Sequence, residues 1–259
     1  MAKKKLYAFL VSIDKYTGGV SPLRGCVNDM TAFLNYLEKQ SDQSDEGFKL
    51  VPHILKNDQA TKQNIIKGFK HFEAAKAEDV CVFFFCGHGS RIPTKDFWEA
   101  HDGMNEAIVC YDACLVDKEM ACLIHEATTN REAHFLVLMD CCHSGGNTRD
   151  DKEVTSRTSK PNSYPVSIEG YYGFEQGLYK RNEEGLYSAP QGKHLNFAAC
   201  RNYQTAKETL IGQEVRGAFT SSLIEALDTT QISLSYLDLE SRVGRKIDNI
   251  VGNQRPQLF

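Results

Sequence analysis

Five short apolar runs punctuate the chain: Leu6 to Ile13, Lys49 to Leu55, Asp79 to Cys86, His134 to Met139 and His194 to Cys200. Each is short for a helix and closes on small or polar residues, the pattern of strands buried on both faces. Between the first two, Met30, Phe33, Leu34 and Leu37 recur at i, i+3, i+4 and i+7, with Asn28 or Asp29 placed to cap a helix. Thr61 heads a second helical segment that buries Ile65, Phe69 and Phe72, and Asp117 a third that buries Met120, Leu123, Ile124 and Ala127. Two more helices are predicted near 218–227 and 234–251, the last with Ser235 as its cap. Strand alternating with helix predicts the α/β class, with a mostly parallel sheet of about six strands covered by helices on both faces. One stretch breaks the rhythm. From Gly146 to Lys193 the chain is polar and has no clear apolar period, and so long a connection inside a compact domain is usually functional or disordered.

The 259 residues suffice for one large domain with a sizeable core. The longest apolar runs, Val80 to Cys86 and Phe135 to Met139, fall far short of the roughly 20 residues that cross a bilayer. Thirty basic residues stand against 34 acidic ones, a formal charge of −4, with no basic stripe interleaved with aromatics. That balance argues against a nucleic-acid partner. The Lys3 to Lys5 cluster before Leu6 imitates the start of a signal peptide, but Asp14 and Lys15 stand where small residues would be needed for cleavage. A buried first strand fits better. Nine cysteines with no recurring CxxC pair suggest neither a disulfide framework nor a zinc site. The expectation is a reducing, cytoplasmic setting without membrane or nucleic-acid partners.

Open parallel sheets bind ligands at the carboxyl ends of their strands. Two of these ends carry reactive groups: Cys86-Gly87-His88-Gly89-Ser90 after the third run, and Asp140-Cys141-Cys142-His143-Ser144-Gly145 after the fourth. A histidine flanked by glycines and a cysteine among small residues, meeting across one crevice, is what a thiol protease needs. Cys81, Cys110, Cys122 and Cys200 read as small buried hydrophobes. Cys141 competes directly with Cys142. By alternation the two point in opposite directions, so only one can face the crevice.

These two motifs resemble those of the metacaspases and their prokaryotic relatives, the orthocaspases, within the caspase-like cysteine peptidases. Further blocks extend the likeness over nearly the whole chain: Leu23-Arg24-Gly25-Cys26-Val27-Asn28-Asp29, Asp102-Gly103-Met104-Asn105-Glu106-Ala107-Ile108-Val109, Ala198-Ala199-Cys200-Arg201 and Gln254-Arg255-Pro256-Gln257. The resemblance implies a single caspase-like domain. Residues 1–146 would form a large-subunit part, 147–192 a linker and 193–259 a small-subunit part. It also implies cysteine endopeptidase activity through a dyad of Cys142 and His88, because the nucleophile directly precedes His-Ser-Gly. The backbone N–H groups of Cys142 and Gly89 are the candidate oxyanion hole.

In the metacaspase pattern the aspartates matching Asp29 and Asp140 line the first specificity pocket, with Cys26 and Cys86 shaping it. Two carboxylates there imply cleavage after Arg or Lys, where the caspases proper cut after Asp. Arg149, Lys152, Arg157, Lys160, Lys180 and Arg181 then offer self-cleavage sites in the linker, with the Lys180–Arg181 pair the most obvious. No cofactor is required by this reading. Asp102 and Asp117 match parts of the calcium site of many metacaspases, but Lys118 replaces a second aspartate, which argues against a strict calcium requirement. The expected partners are protein or peptide substrates, on a monomeric catalytic domain governed by a regulatory domain or partner. The alternatives are a catalytically silent interaction module and a caspase-type protease without basic preference.

Overall fold

A computed structural model describes residues 3–42, 47–98, 103–142, 154–159, 166–201, 203–229 and 234–259. The chain runs β1 (Lys5–Ser12), α1 (Cys26–Asp42), β2 (Lys49–Lys56), α2 (Lys62–Gly68), β3 (Val80–Cys86), β4 (Gly89–Pro93), β5 (Met104–Val109), β6 (Cys114–Val116), α3 (Asp117–Thr128) and β7 (His134–Asp140). It continues through β8 (Val154–Ser156), β9 (Lys180–Arg181), β10 (Tyr187–Ser188), β11 (Leu195–Ala198), β12 (Lys207–Ile211), β13 (Glu214–Gly217), α4 (Ala218–Asp228), α5 (Tyr236–Asp248) and β14 (Gln257–Leu258).

Six strands form the central sheet in the order β14-β11-β7-β3-β1-β2. All neighbours are parallel except β14, which lies antiparallel to β11. The five apolar runs are the five parallel strands. Alternation along them builds two cores. Tyr7, Phe9 and Val11 with Phe83 and Phe85 pack under Phe69, Phe72 and Leu123 on one face. Leu10, Val82 and Phe84 face Met30, Phe33, Phe219 and Val243 on the other. Thr61 and Ser235 cap their helices as the sequence predicts, each side chain accepting a backbone N–H in the first turn.

Two expected caps differ. Asp29 does not cap α1; the carboxylate of Asp14 accepts the N–H groups of Cys26 and Val27 at 2.8 and 3.1 Å instead. The cap of α3 is Val116, whose N–H is taken by Glu119, with Asp117 the first helical residue. The polar stretch before Lys193 is also less bare than its pattern suggests. Ile168 and Tyr171 pack with Ile92, Trp98 and Val116 in a third small core, and residues 154–159 thread through the sheet's carboxyl edge. Among the described residues no helix is long and apolar enough to cross a membrane.

Candidate active site

Alternation out of β7 separates the two adjacent cysteines as expected. Cys141 packs in the core beneath α3 and Cys142 in the core on the α1 and α4 face, the face on which Cys86 also lies. Both strand ends therefore open onto one crevice, and a segment of the chain itself fills it.

That segment is Val154 to Ser159. Its first three residues form β8, which pairs antiparallel with β12 through Ser156 opposite Lys207 and Val154 opposite Thr209. Arg157 N donates to Ala206 O at 2.8 Å, and Ser159 N to Gly89 O at 2.8 Å. Between these anchors the Arg157 carbonyl oxygen accepts from Gly89 N at 3.1 Å and Cys142 N at 3.3 Å. The Cys142 thiol lies 3.3 Å from the same oxygen. The two N–H groups read from sequence as an oxyanion hole thus converge on a single carbonyl beside the thiol.

The Arg157 side chain is 0% exposed and buries its guanidinium among acids from three distant segments. Its Nη2 lies 2.5 Å from Asp29 Oδ2 and 3.4 Å from Glu208 Oε2, and its Nη1 lies 2.8 Å from Asp140 Oδ2. Nη1 also donates to Cys86 Sγ at 3.0 Å. The acids are anchored in turn. Asp29 accepts from Gly217 N at 2.7 Å and Arg216 Nε at 2.8 Å, while Asp140 accepts from Thr220 Oγ1 at 2.5 Å. Glu208 takes the N–H groups of Arg24 and Gly25. Such closely paired and hydrogen-bonded groups meet the condition under which buried charge is tolerated. Burial opposes charge on Arg157, but Asp140 and its neighbours hold it firmly protonated.

Asp29, Cys86 and Asp140 thus come together around the Arg157 guanidinium. Cys26 stands behind them, its thiol in contact with that of Cys86 and pushed up to about 11 by burial. Sequence reasoning missed Glu208 and Arg216. Neither sits in a recognisable motif, and only the folding of β12 and β13 against α1 brings them to Asp29. Arg157 was one of six basic linker residues with nothing to single it out except the strand-forming Val-Thr-Ser before it. Of the others, Arg149, Lys152 and Lys160 lie outside the described residues, as do His143 and Asp102. Lys180 and Arg181, the favoured pair, lie exposed on the β9–β10 hairpin, where Arg181 stacks on Tyr187. The structure puts Arg157, not that pair, at the thiol.

His88 is 2% exposed and follows β3 across the crevice. Its Nε2 lies 2.8 Å from the carbonyl of Ser21, which can only accept, so Nε2 carries the proton. Nδ1 is buried and has no hydrogen-bond partner among the described residues. Burial is the main force lowering the His88 pKa to about 4, and the Arg157 charge adds to it. The ring is thus a neutral base at physiological pH, held by the Ser21 carbonyl and packed against the Tyr16 ring, whose hydroxyl accepts the His88 backbone N–H at 2.7 Å.

Comparison with known proteins bears on this arrangement. The caspase-domain family matches residues 5–259. The chain belongs to that family. Metacaspase-4 of Arabidopsis thaliana is 28% identical over 100% of the chain and 61% of its own length. Metacaspase-1 of Yarrowia lipolytica is 24% identical over 99% of the chain and 61% of its own length. Metacaspase-6 of Arabidopsis thaliana is 31% identical over 62% of the chain and 43% of its own length. The chain thus spans about three-fifths or less of these relatives. A solved protein of Geobacter sulfurreducens shares the fold, with a TM-score of 0.70 at 20% identity over 98% of this chain and 92% of that one.

Of the two aspartates that the resemblance matches to a calcium site, Asp102 lies outside the described residues, and Asp117 Oδ2 pairs with the ammonium of Lys118 at 2.6 Å.

Gly217 marks how tightly the pocket is drawn. A methyl group added to its Cα would overlap Arg157 Nη1 and lie 2.6 Å from Asp140 Oδ2. Its φ of −71° is open to any residue, so the backbone would tolerate the change. Gly217→Ala should therefore push the Arg157 guanidinium off Asp140 and lower stability by about 1 to 3 kcal/mol, the usual cost of overpacking. A thermal melt of the variant beside the wild type checks this.

Proposed function

We propose that the chain is a cysteine endopeptidase that cuts after arginine or lysine, and that the segment Val154 to Ser159 is its own first substrate. The observation that carries this reading is the placement of Arg157: guanidinium among Asp29, Asp140 and Glu208, carbonyl oxygen between two N–H donors, and thiol alongside. The strand pairing with β12 supplies the main-chain hydrogen bonds by which an extended peptide is read.

The chemistry follows from these groups. His88 Nδ1 takes the proton of the Cys142 thiol, and the sulfur attacks the Arg157 carbonyl carbon. Negative charge developing on the oxygen is met by the N–H groups of Gly89 and Cys142; losing one such donor typically costs about 3 to 4 kcal/mol of transition-state stabilisation. The imidazolium then protonates the departing Thr158 nitrogen, and water hydrolyses the thioester. Because the Ser21 carbonyl fixes the ring, no acidic third residue is needed to orient it.

Incubating the wild type beside Cys142→Ala and sequencing new N-termini tests the proposal. A fragment beginning at Thr158 should accumulate in the wild type alone. It should vanish in Arg157→Gln and persist when Lys180 and Arg181 are both changed to Gln. Equal fragmentation of wild type and Cys142→Ala, or a cut that ignores Arg157→Gln, overturns it.

The pocket also sets an acid limb. Burial raises the Asp29 pKa to about 6, helped by the charge of Asp140 and opposed by Arg157 and Arg216. A raised carboxyl is ionised above that value and neutral below it, so its hold on an incoming guanidinium is lost as pH falls through about 6. KM for arginine peptides should therefore climb below pH 6, while His88, with a pKa near 4, remains a competent base until lower pH. A KM that stays flat from pH 7 to 5 would contradict the role given to Asp29.

A further inference from the structure

We propose that the arginine pocket, once Arg157 withdraws, binds one thiophilic divalent cation of the zinc class through Cys86, Asp29 and Asp140, in competition with a substrate's arginine. The inference rests on reading this pocket as the one that receives a basic side chain.

Three facts carry it. First, one ligand atom from each of Asp29, Cys86 and Asp140 lies within 4.8 Å of the others, and all three residues are fully buried. Cys86 Sγ already stands 3.7 Å from Asp29 Oδ2, about the edge length of a tetrahedron with metal–sulfur near 2.3 Å and metal–oxygen near 2.1 Å. Second, the site is already occupied by a cation. Arg157 Nη1 lies 3.0 Å from Cys86 Sγ and 2.8 Å from Asp140 Oδ2, so these two ligands need close by only about 0.7 Å to reach metal-bond lengths. Third, the charge left behind is unbalanced. When Arg157 leaves, the carboxylates of Asp29, Asp140 and Glu208 face, among the described residues, the one positive charge of Arg216, a deficit of two that becomes three with a Cys86 thiolate and that one divalent ion reduces to one. Asp140 Oδ1 is moreover buried with no hydrogen-bond partner among the described residues, even while the arginine is present.

The donor set selects the metal. A thiol with two carboxylates suits zinc or cadmium, whereas calcium and magnesium ask for six or more oxygens or a water-rich shell. Binding exchanges the Cys86 S–H bond for a sulfur–metal bond and releases that proton to solvent, so no oxidant or reductant is involved.

Cadmium is the probe, because a cadmium thiolate absorbs in the ultraviolet. Every protein carries Cys142→Ala, which removes the nucleophile as a rival ligand and prevents self-cleavage. In Cys142→Ala alone Arg157 fills the pocket, and little charge-transfer absorbance should appear. Adding Arg157→Ala should produce a band that saturates at one cadmium per chain. That band should vanish when Cys86→Ser is added and fall on titration with the peptide Val-Thr-Ser-Arg. Arg157→Gln serves as the second form if the alanine variant does not fold. A band that is equal with and without Arg157, or that survives Cys86→Ser, overturns the site. Binding of the peptide to the emptied pocket without any cadmium band overturns the metal site and leaves the arginine pocket standing. Failure of the peptide to bind removes the underlying reading instead.

Discussion

Cys142→Ala should abolish both peptide hydrolysis and the cut after Arg157, while Cys141→Ala should retain substantial activity in both. The two sulfurs differ in nothing but the face on which they leave β7. Cys142 reaches the Arg157 carbonyl at 3.3 Å and contributes its own N–H to the same oxygen. Cys141 packs in the opposite core, where burial pushes its thiol well above the usual value. Loss of a covalent nucleophile removes the whole two-step path, and the expected fall in kcat is several orders of magnitude. His88→Ala should approach it, because a buried thiol without a neighbouring base stays protonated. Turnover numbers for the four proteins, together with melting temperatures to show that each is folded, decide the matter. Activity retained in Cys142→Ala and lost in Cys141→Ala would reverse the assignment.

The second large effect is on the residue before the cut. A guanidinium about 4 Å from one carboxylate gains roughly 4 kcal/mol at an effective dielectric near 20, before desolvation is subtracted. Here three carboxylates converge within 3.4 Å of one guanidinium, and Arg157 engages two of them through separate nitrogens, the geometry that favours arginine over a point charge. An aspartate placed there would meet repulsion of similar gross size. If desolvation consumes most of both contributions, a remaining difference of about 3 kcal/mol still exceeds a hundredfold in kcat/KM. Lysine should be accepted less well than arginine, since one ammonium cannot span Asp29 and Asp140 as the planar fork does.

Much of the frame is legible from pattern alone. The five parallel strands announce themselves because strands buried on both faces need unbroken apolar runs, and the caps at Thr61 and Ser235 because their hydroxyls stand one residue before a helical period. β14 escapes notice because two residues carry no period. Asp29 is misplaced as a cap because the competing carboxylate, Asp14, lies twelve residues before Cys26, beyond any local rule. Cys142, His88 and the N–H groups that meet the Arg157 carbonyl sit at strand ends, where topology alone directs attention. The pocket is different. Asp29, Asp140, Arg157, Glu208 and Arg216 come from five separate segments, and no spacing rule joins them. Glu208 in particular is one acid among the 34 acidic residues of the chain until β12 pairs with β8 and swings it beneath the guanidinium.

The most direct test of the account is a pair of fluorogenic peptides, Val-Thr-Ser-Arg and Val-Thr-Ser-Asp, presented to the wild type and to Cys142→Ala. The account predicts release from the arginine peptide by the wild type alone, at least about a hundredfold faster than from the aspartate peptide. Faster cleavage after aspartate, or equal release by Cys142→Ala, would contradict it.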